Sequence, residues 1–499
     1  MKIKFAIFIL LTFSFTGLIA SEYSMNPNCL KAYDLILKLR FDEANTLLKK
    51  EKTVNPTNRI IPYLENYQDF LRIIISEEEA VFNACSPLKK SRISLLERSD
   101  KKSPWHLYSQ AQVNMQWAFA RIKFGEFTSA ALELNRSYRQ LEENRELFPT
   151  FSPNISALAL LRILIGSIPE NYKWIAGALS YHGDVNEGIK EFRQIINNPE
   201  TSAYYPYLRS EGIFLLSFIT INFSVSPEDA EYMTDLLQHP DIKNLIAESP
   251  LLIYAASVYY LHNGKNSIAL KFLLNRPKSA AYYPFHYLEY LTGIAELNKL
   301  NPGAKIHFLR FVVSFKGKNF IKSAYQRIAW IELLNNNKDG YNEYMGRVKL
   351  MGSADVDGDR QAVADADLTV PPDLLLLKAR LLFDGGYYNE ALLQLKNLNP
   401  ETISLPRERI EYTYRFARIY HKSGNTKEAI KNYTETLSQG RDYPYYFAAN
   451  AALQLGMLYG SSGNKEKARY YYRECLNLDY DEYHNSISQK AKAGLSGLK

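Results

Sequence analysis

The chain is 499 residues long, carries a formal charge of +7 and is 46% hydrophobic. Acidic and basic side chains are interleaved, as in KNYTETLSQGRD, and form no basic stripe or tail, which excludes an electrostatic nucleic-acid surface. A chain this long normally divides into several domains, unless it is an array of units that each pack on their neighbours.

The first element is expected to be removed. Lys2 and Lys4 precede the apolar run FAIFILLTFSFTGLIA, which ends in small residues before Ser21, the pattern of a signal peptide cleaved after Ala20. A run of about 16 apolar residues is short for a membrane span of about 20. Cys29, in MNPNC, lies too far past the run to be a lipid-modified cysteine. No later stretch reaches spanning length: SALALLRILIGSIP (156–169) is interrupted by Arg162 and bounded by Pro169. The mature chain is therefore expected to be exported, periplasmic or peripherally associated with the cell envelope, without an integral membrane segment.

Helices are predicted over 28–39, 41–51 and 60–84. Cys29 would open the first and Cys85 would close the third, so their sulfurs would lie at opposite ends, whereas a disulfide needs Cα atoms within about 7 Å. Cys475 reads as a small core residue of a later helix, and no disulfide is expected.

From here a four-point spacing recurs: an apolar residue, a glycine four residues on, an alanine five further and an aromatic or Leu four further. A weak copy centres on Ala44 with Leu48, and Gly125, Ala130 and Leu134 form another, with Arg121 at the first point. Leu179, Gly183, Gly188 and Phe192 follow, then Tyr260, Gly264, Ala269 and Leu273, then a weak copy at Ala304 with Phe308. The clearest copies come last: Leu382, Gly386, Ala391 and Leu395; Tyr420, Gly424, Ala429 and Tyr433; Tyr459, Gly463, Ala468 and Tyr472. The glycine can take positive φ and end one helix. Asp184, Asn425, Thr426 or Asn464 start the next, alanine allows the two helices to approach, and the last residue fills the gap on the same face. The unit is a helix hairpin that cannot bury its apolar face alone, so copies must stack.

Between the weak and the clear copies lies SADVDGDRQAVADADLTVPPD (353–373). Asp355, Asp357 and Asp359 alternate as in a calcium loop, but Arg360 and Ala366 stand where an EF-hand needs glycine and glutamate. A solvated acidic connection is expected, with a short helix over DRQAVADA. It would divide the chain into a degenerate N-terminal array (22–352), a connecting segment (353–371) and a C-terminal array (372–499). The last predicted helix carries Tyr483, Ile487, Ala491 and Leu495 on one face and Asn485, Gln489 and Lys492 on the other, as a solenoid's final cover requires.

These residues resemble the tetratricopeptide repeat, a unit of about 34 residues with a small residue, an aromatic, a glycine, an alanine and an aromatic. Ala417, Tyr420, Gly424, Ala429 and Tyr433 match, as do Gly456, Tyr459, Gly463, Ala468 and Tyr472. The family's Trp near the start of the first helix is absent from both copies. The resemblance implies an all-α, right-handed α-solenoid of antiparallel hairpins. Residues 160–192 are more distantly similar to the inclusion-clearance tetratricopeptide proteins of mitochondrial outer membranes.

No catalytic, metal or cofactor motif emerges. The eight histidines show no ligand spacing with one another or with cysteine. His182, His262 and His421 stand just before repeat glycines, where they suit the carbonyl end of a helix. GSSGNK (460–465) lacks phosphate-loop spacing, and no G-x-S-x-G elbow occurs. The 37 tyrosines are read mainly as repeat core, with AYYP (203–206, 281–284) and PYY (444–446) between repeats. The expected function is a non-catalytic scaffold that binds a protein or extended peptide. The family's concave lining, carried over residue by residue, falls on Arg380 and Phe383, then Tyr414, Arg418 and Lys422, then Asn450 and Met457. That set suits a segment with acidic groups or a terminal carboxylate. The Lys and Asn clamp of the family's chaperone-tail binders is absent, so that ligand is not implied. A glycan-binding or glycan-processing envelope protein is the alternative, and would need stacked aromatics and carboxylates in one groove.

Overall fold

The computed structural model describes residues 22–166, 183–222, 226–368, 370–480 and 482–498. The expected leader at 1–20, together with Leu179 and His182, lies outside the described residues. The chain is all-α: among the described residues 26 α-helices follow one another in sequential hairpin pairs, a helical-repeat solenoid.

The hairpins turn where the spacing places them. Gly264, Gly386, Gly424 and Gly463 hold φ between +65° and +82°, a region that costs a residue with Cβ about 1 kcal/mol or more. Gly183 is the exception: it is not left-handed, and a Cβ there would overlap the backbone nitrogen of Gly166 at 2.1 Å. The following helices open on side-chain caps. Asp184 accepts from the Glu187 N–H at 3.0 Å, Asn425 from Glu428 at 3.3 Å and Asn464 from Lys467 at 3.0 Å. Ala269, Ala391, Ala429 and Ala468 are fully buried in the seams. A Cβ on Gly456 would lie 2.6 Å from the Tyr472 ring, so the small residue of one helix and the aromatic of the next form one contact.

Three features depart from the sequence reading. The helix predicted over 60–84 is two, Ile60–Ser76 and Glu79–Glu97, broken at Glu77, whose φ is +54°. Cys85 therefore sits within a fourth helix; all three thiols are free and buried. The acidic stretch carries the short helix expected over DRQAVADA, as Asp357–Ala366, but it is not a solvated connection, because Asp359 is fully buried. Its carboxylate accepts the Phe320 and Ser323 N–H groups at 2.6 and 2.8 Å, capping the helix Ile321–Leu334, while Asp365 accepts from Gln326 at 2.7 Å. One apolar cluster runs from Ala159 to Leu381 and takes in Ala362 and Ala366, so the core continues through this segment.

The third departure concerns the whole array. Packing is not confined to neighbours. The Tyr33 ring stacks on Tyr207 at 4.0 Å, Ser249 Oγ donates to the Leu37 carbonyl at 2.9 Å, and the Tyr283 N–H donates to the Leu39 carbonyl at 2.7 Å. The chain winds tightly enough for its first hairpin to lie against residues some two hundred positions on.

Candidate protein-binding channel

The helix Pro406–Lys422 starts at Pro406, where the missing N–H costs nothing. Its sequence places Glu411, Arg415, Arg418 and Lys422 at separations of 4, 3 and 4, one stripe along the helix. At the inner end, Nε and Nη2 of Arg415 both donate to Glu411 Oε1, at 3.0 and 2.7 Å. One turn further on, Arg418 Nη1 donates to the Tyr414 hydroxyl at 2.8 Å, and its guanidinium lies 4.7 Å above the Phe383 ring. Arg380, on helix Leu374–Asp384, lies 5.0 Å over Trp330. Arg380 and Glu411 line a cavity of about 200 Å³ with Trp330, Asp365, Arg407 and Tyr445.

Beyond Arg418 the character of the wall changes. Lys422 is exposed, as are Lys490 on helix His484–Gly497 and His262 at the end of helix Pro250–His262. Desolvation nonetheless lowers the pKa of all three, and neighbouring cations lower it further: Arg418 for both lysines, and Lys490, Lys422 and Arg418 for His262. The three exposed side chains lie within electrostatic reach of Arg418 and together form the wall of the candidate channel. His262 reaches it because the turns at 262–265 and 384–387 abut. A Cβ on Gly386 would lie 1.9 Å from the Gly264 carbonyl oxygen, and Asn266 Nδ2 donates to the Tyr387 hydroxyl at 3.2 Å. His421 is held down to about 4 by burial and then by Lys422 and Arg418. It stays neutral, with Nδ1 3.2 Å from the Tyr433 hydroxyl. Among the described residues, no carboxylate forms an ion pair with Arg418, Lys422, Lys490 or His262.

Residues 409–481 match the tetratricopeptide-repeat family model. No curated protein matches the chain. The matched stretch includes the Glu411–Lys422 stripe, and such repeats present extended concave surfaces on which protein partners bind. The match suggests a protein–protein interaction scaffold over this part of the chain. No helix among the described residues is long and apolar enough to cross a membrane, and none of their His, Cys, Asp and Glu side chains group as a metal site would.

The residues expected to line the groove have three different fates. Arg380, Phe383, Tyr414 and Arg418 are brought together, but Tyr414 is fully buried and Phe383 is 5% exposed. Both are correctly viewed as core: Tyr414 packs on Phe447 and Tyr446, and Phe383 is roofed by Arg418. Lys422 stands free in the channel. Asn450 accepts from Gln454 of its own helix at 3.4 Å, and Met457 is 47% exposed. Lys490, His262 and the Glu411–Arg415 pair were missed. Lys490 was not marked because, three residues after Ile487, it flanks the apolar side of the last helix instead of its polar face. Nothing local marks His262, because it is brought in by a contact between distant turns.

The groove around Arg380 does combine aromatics with carboxylates, as a sugar site would. Its rings are already covered, however. Arg380 and Arg327 lie over Trp330, and Arg407 lies 5.7 Å over Tyr445 while pairing with Glu482 at 3.0 Å.

Proposed function

We propose that the C-terminal array captures an extended acidic segment, or a chain-terminal carboxylate, of a protein partner, and does so in the cell envelope after export. One observation carries this reading. Arg418, Lys422, Lys490 and His262 lie within electrostatic reach of one another, and among the described residues no carboxylate is ion-paired to them. Desolvated like charges oppose one another, so such a cluster is stabilised when an anion enters. Arginine and lysine donate charge-assisted hydrogen bonds to carboxylates that are about twice as strong as neutral ones. Export is supported by the charged and apolar pattern of residues 1–20.

Fluorescence anisotropy with a labelled Glu- and Asp-rich peptide tests the channel, with its Gln and Asn counterpart as control. The acidic peptide should bind, lose affinity as salt is raised, and bind at least about tenfold more weakly to a Lys422→Gln, Lys490→Gln double variant, a loss of about 1.4 kcal/mol. Both lysines are exposed, so the melting temperature should be unchanged. Equal binding of the two peptides, or full binding by the double variant, would refute the assignment. Arg418 is unsuited to this test because its removal would also uncover Phe383. Amino-terminal sequencing of the native protein should begin at or near Ser21, and an intact Met1 would refute export by cleavage.

A further inference from the structure

The inner faces of the N-terminal helices also converge, on a cavity of quite different chemistry. Its volume is about 260 Å³, and its wall comes from helices Pro27–Leu37, Ile60–Ser76, Pro104–Lys123, Ser152–Gly166, Tyr207–Asn222 and Pro250–His262. A cavity of roughly 150 Å³ is enough for benzene. The lining is mostly apolar, with Gln112, Gln116, Ser156, Ser210 and Ser249 as neutral polar members, and includes the rings of Tyr67, Phe70, Tyr108, Phe119 and Phe214. One side chain in it is ionisable to an anion near neutral pH, Glu211.

Glu211 is held in place. Its Oε1 accepts the hydroxyls of Tyr33 at 2.7 Å and Tyr67 at 2.8 Å. Oε2 receives no hydrogen bond among the described residues, and no charged side chain of the surrounding helices acts on the carboxyl. Burial raises its pKa to about 7 against the opposing effect of the two hydroxyl bonds. The titratable groups that face it are Tyr33, Tyr63, Tyr67, Tyr108 and Tyr207, and burial pushes all of them well above the ordinary tyrosine value. They stay neutral where Glu211 titrates.

A mostly apolar cavity lined by several aromatic rings and one carboxyl without an ion-pair partner is complementary to one class of small molecule. The ring quadrupoles attract a cation at their faces, the carboxylate supplies the opposite charge, and the apolar wall accepts the rest of the ligand. A neutral hydrocarbon would leave Oε2 unsatisfied, and an anion would be repelled. We propose that this cavity binds a small organic ammonium ion with an apolar body, its nitrogen beside Glu211 and its alkyl groups among the rings of Tyr67, Phe70, Tyr108, Phe119 and Phe214. The cavity's volume suits a free small molecule larger than benzene. This site is independent of the C-terminal channel and of the peptide reading.

Isothermal titration calorimetry of the full chain with benzyltrimethylammonium tests it. The quaternary nitrogen does not titrate, so the affinity should rise about tenfold between about pH 6 and about pH 8 as Glu211 loses its proton. Phenylacetate, and a peptide carrying trimethyl-lysine, should not bind. Glu211→Gln keeps an oxygen to accept from Tyr33 and Tyr67, and should weaken the cation about tenfold and remove the pH dependence. Any of four results overturns the proposal: no binding of the cation at millimolar concentration, a pH-independent affinity in the wild type, binding of phenylacetate as tight as that of the cation, or unchanged affinity in Glu211→Gln. The wild-type pH series and the anion comparison decide the matter even if the variant does not fold. Binding of the peptide alone would transfer the site to a protein partner.

Discussion

At Ala429 no part of the side chain reaches solvent, and four residues on, Tyr433 is equally buried. Glu428, immediately before, is half-buried and lies in the first turn of the same helix, where an acidic side chain favours the helix N-terminus. Ala429→Glu would force a larger, charged group into the hairpin seam, with overpacking and desolvation acting together. The expected cost is at least about 3 kcal/mol. Glu428→Gln should cost no more than about 0.5 kcal/mol, since it removes only a dipole contact. Thermal melts of the two variants decide this, and equal midpoints would show that the alanine is not at the point of closest approach.

Among the elements, legibility followed the range of the forces involved. The C-terminal hairpins could be read because their determinants are local: a glycine that takes positive φ, an Asn cap three residues before the N–H it satisfies, and an alanine on the facing stripe. The break at Glu77 could not. Ser76-Glu77-Glu78-Glu79 offers no glycine or proline, and helix propensity there favours continuation. The chain turns because the Glu77 carboxylate is bound by Tyr287, Lys123 and Asn319, partners that no local pattern reveals. The burial of Asp359 in helix Asp357–Ala366 was hidden for the same reason. Its aspartates look solvated in sequence, yet Asp359 supplies the cap that the helix after Phe320 lacks from its own side chains. In the channel, the 3.6-residue period identified Arg418 and Lys422 as one stripe. It could not show that Tyr414, one turn before Arg418, points into the aromatic cluster behind that stripe.

At the scale of the molecule, the contacts between distant turns distinguish this array from a solenoid in which each repeat touches only its neighbours. They create both concave sites: the first helices enclose the Glu211 cavity, and the contact of Gly264 with Gly386 brings His262 to the cationic channel. Not all of these contacts should contribute equally. Lys38 pairs with Glu248 at 2.8 Å, but the glutamate side chain is 64% exposed, and pairs of this kind contribute about 0.5 kcal/mol. Glu77 is different. It is 6% exposed and joins helix Pro104–Lys123 through Lys123, helix Tyr287–Leu297 through the Tyr287 hydroxyl, and the approach to helix Ile321–Leu334 through Asn319 Nδ2 at 2.9 Å. Glu77→Gln leaves Lys123, whose side chain is partly exposed, without its counter-charge. Removing one partner of a buried pair costs about 3 kcal/mol, and the partial exposure of Lys123 brings the expectation to about 2 kcal/mol. In urea, Glu77→Gln should lower the unfolding midpoint well below that of Lys38→Ala at similar slope. If the two variants unfold at the same midpoint, the turns are held together by apolar packing such as Tyr33 on Tyr207, and the buried carboxylate serves only to end its own helix.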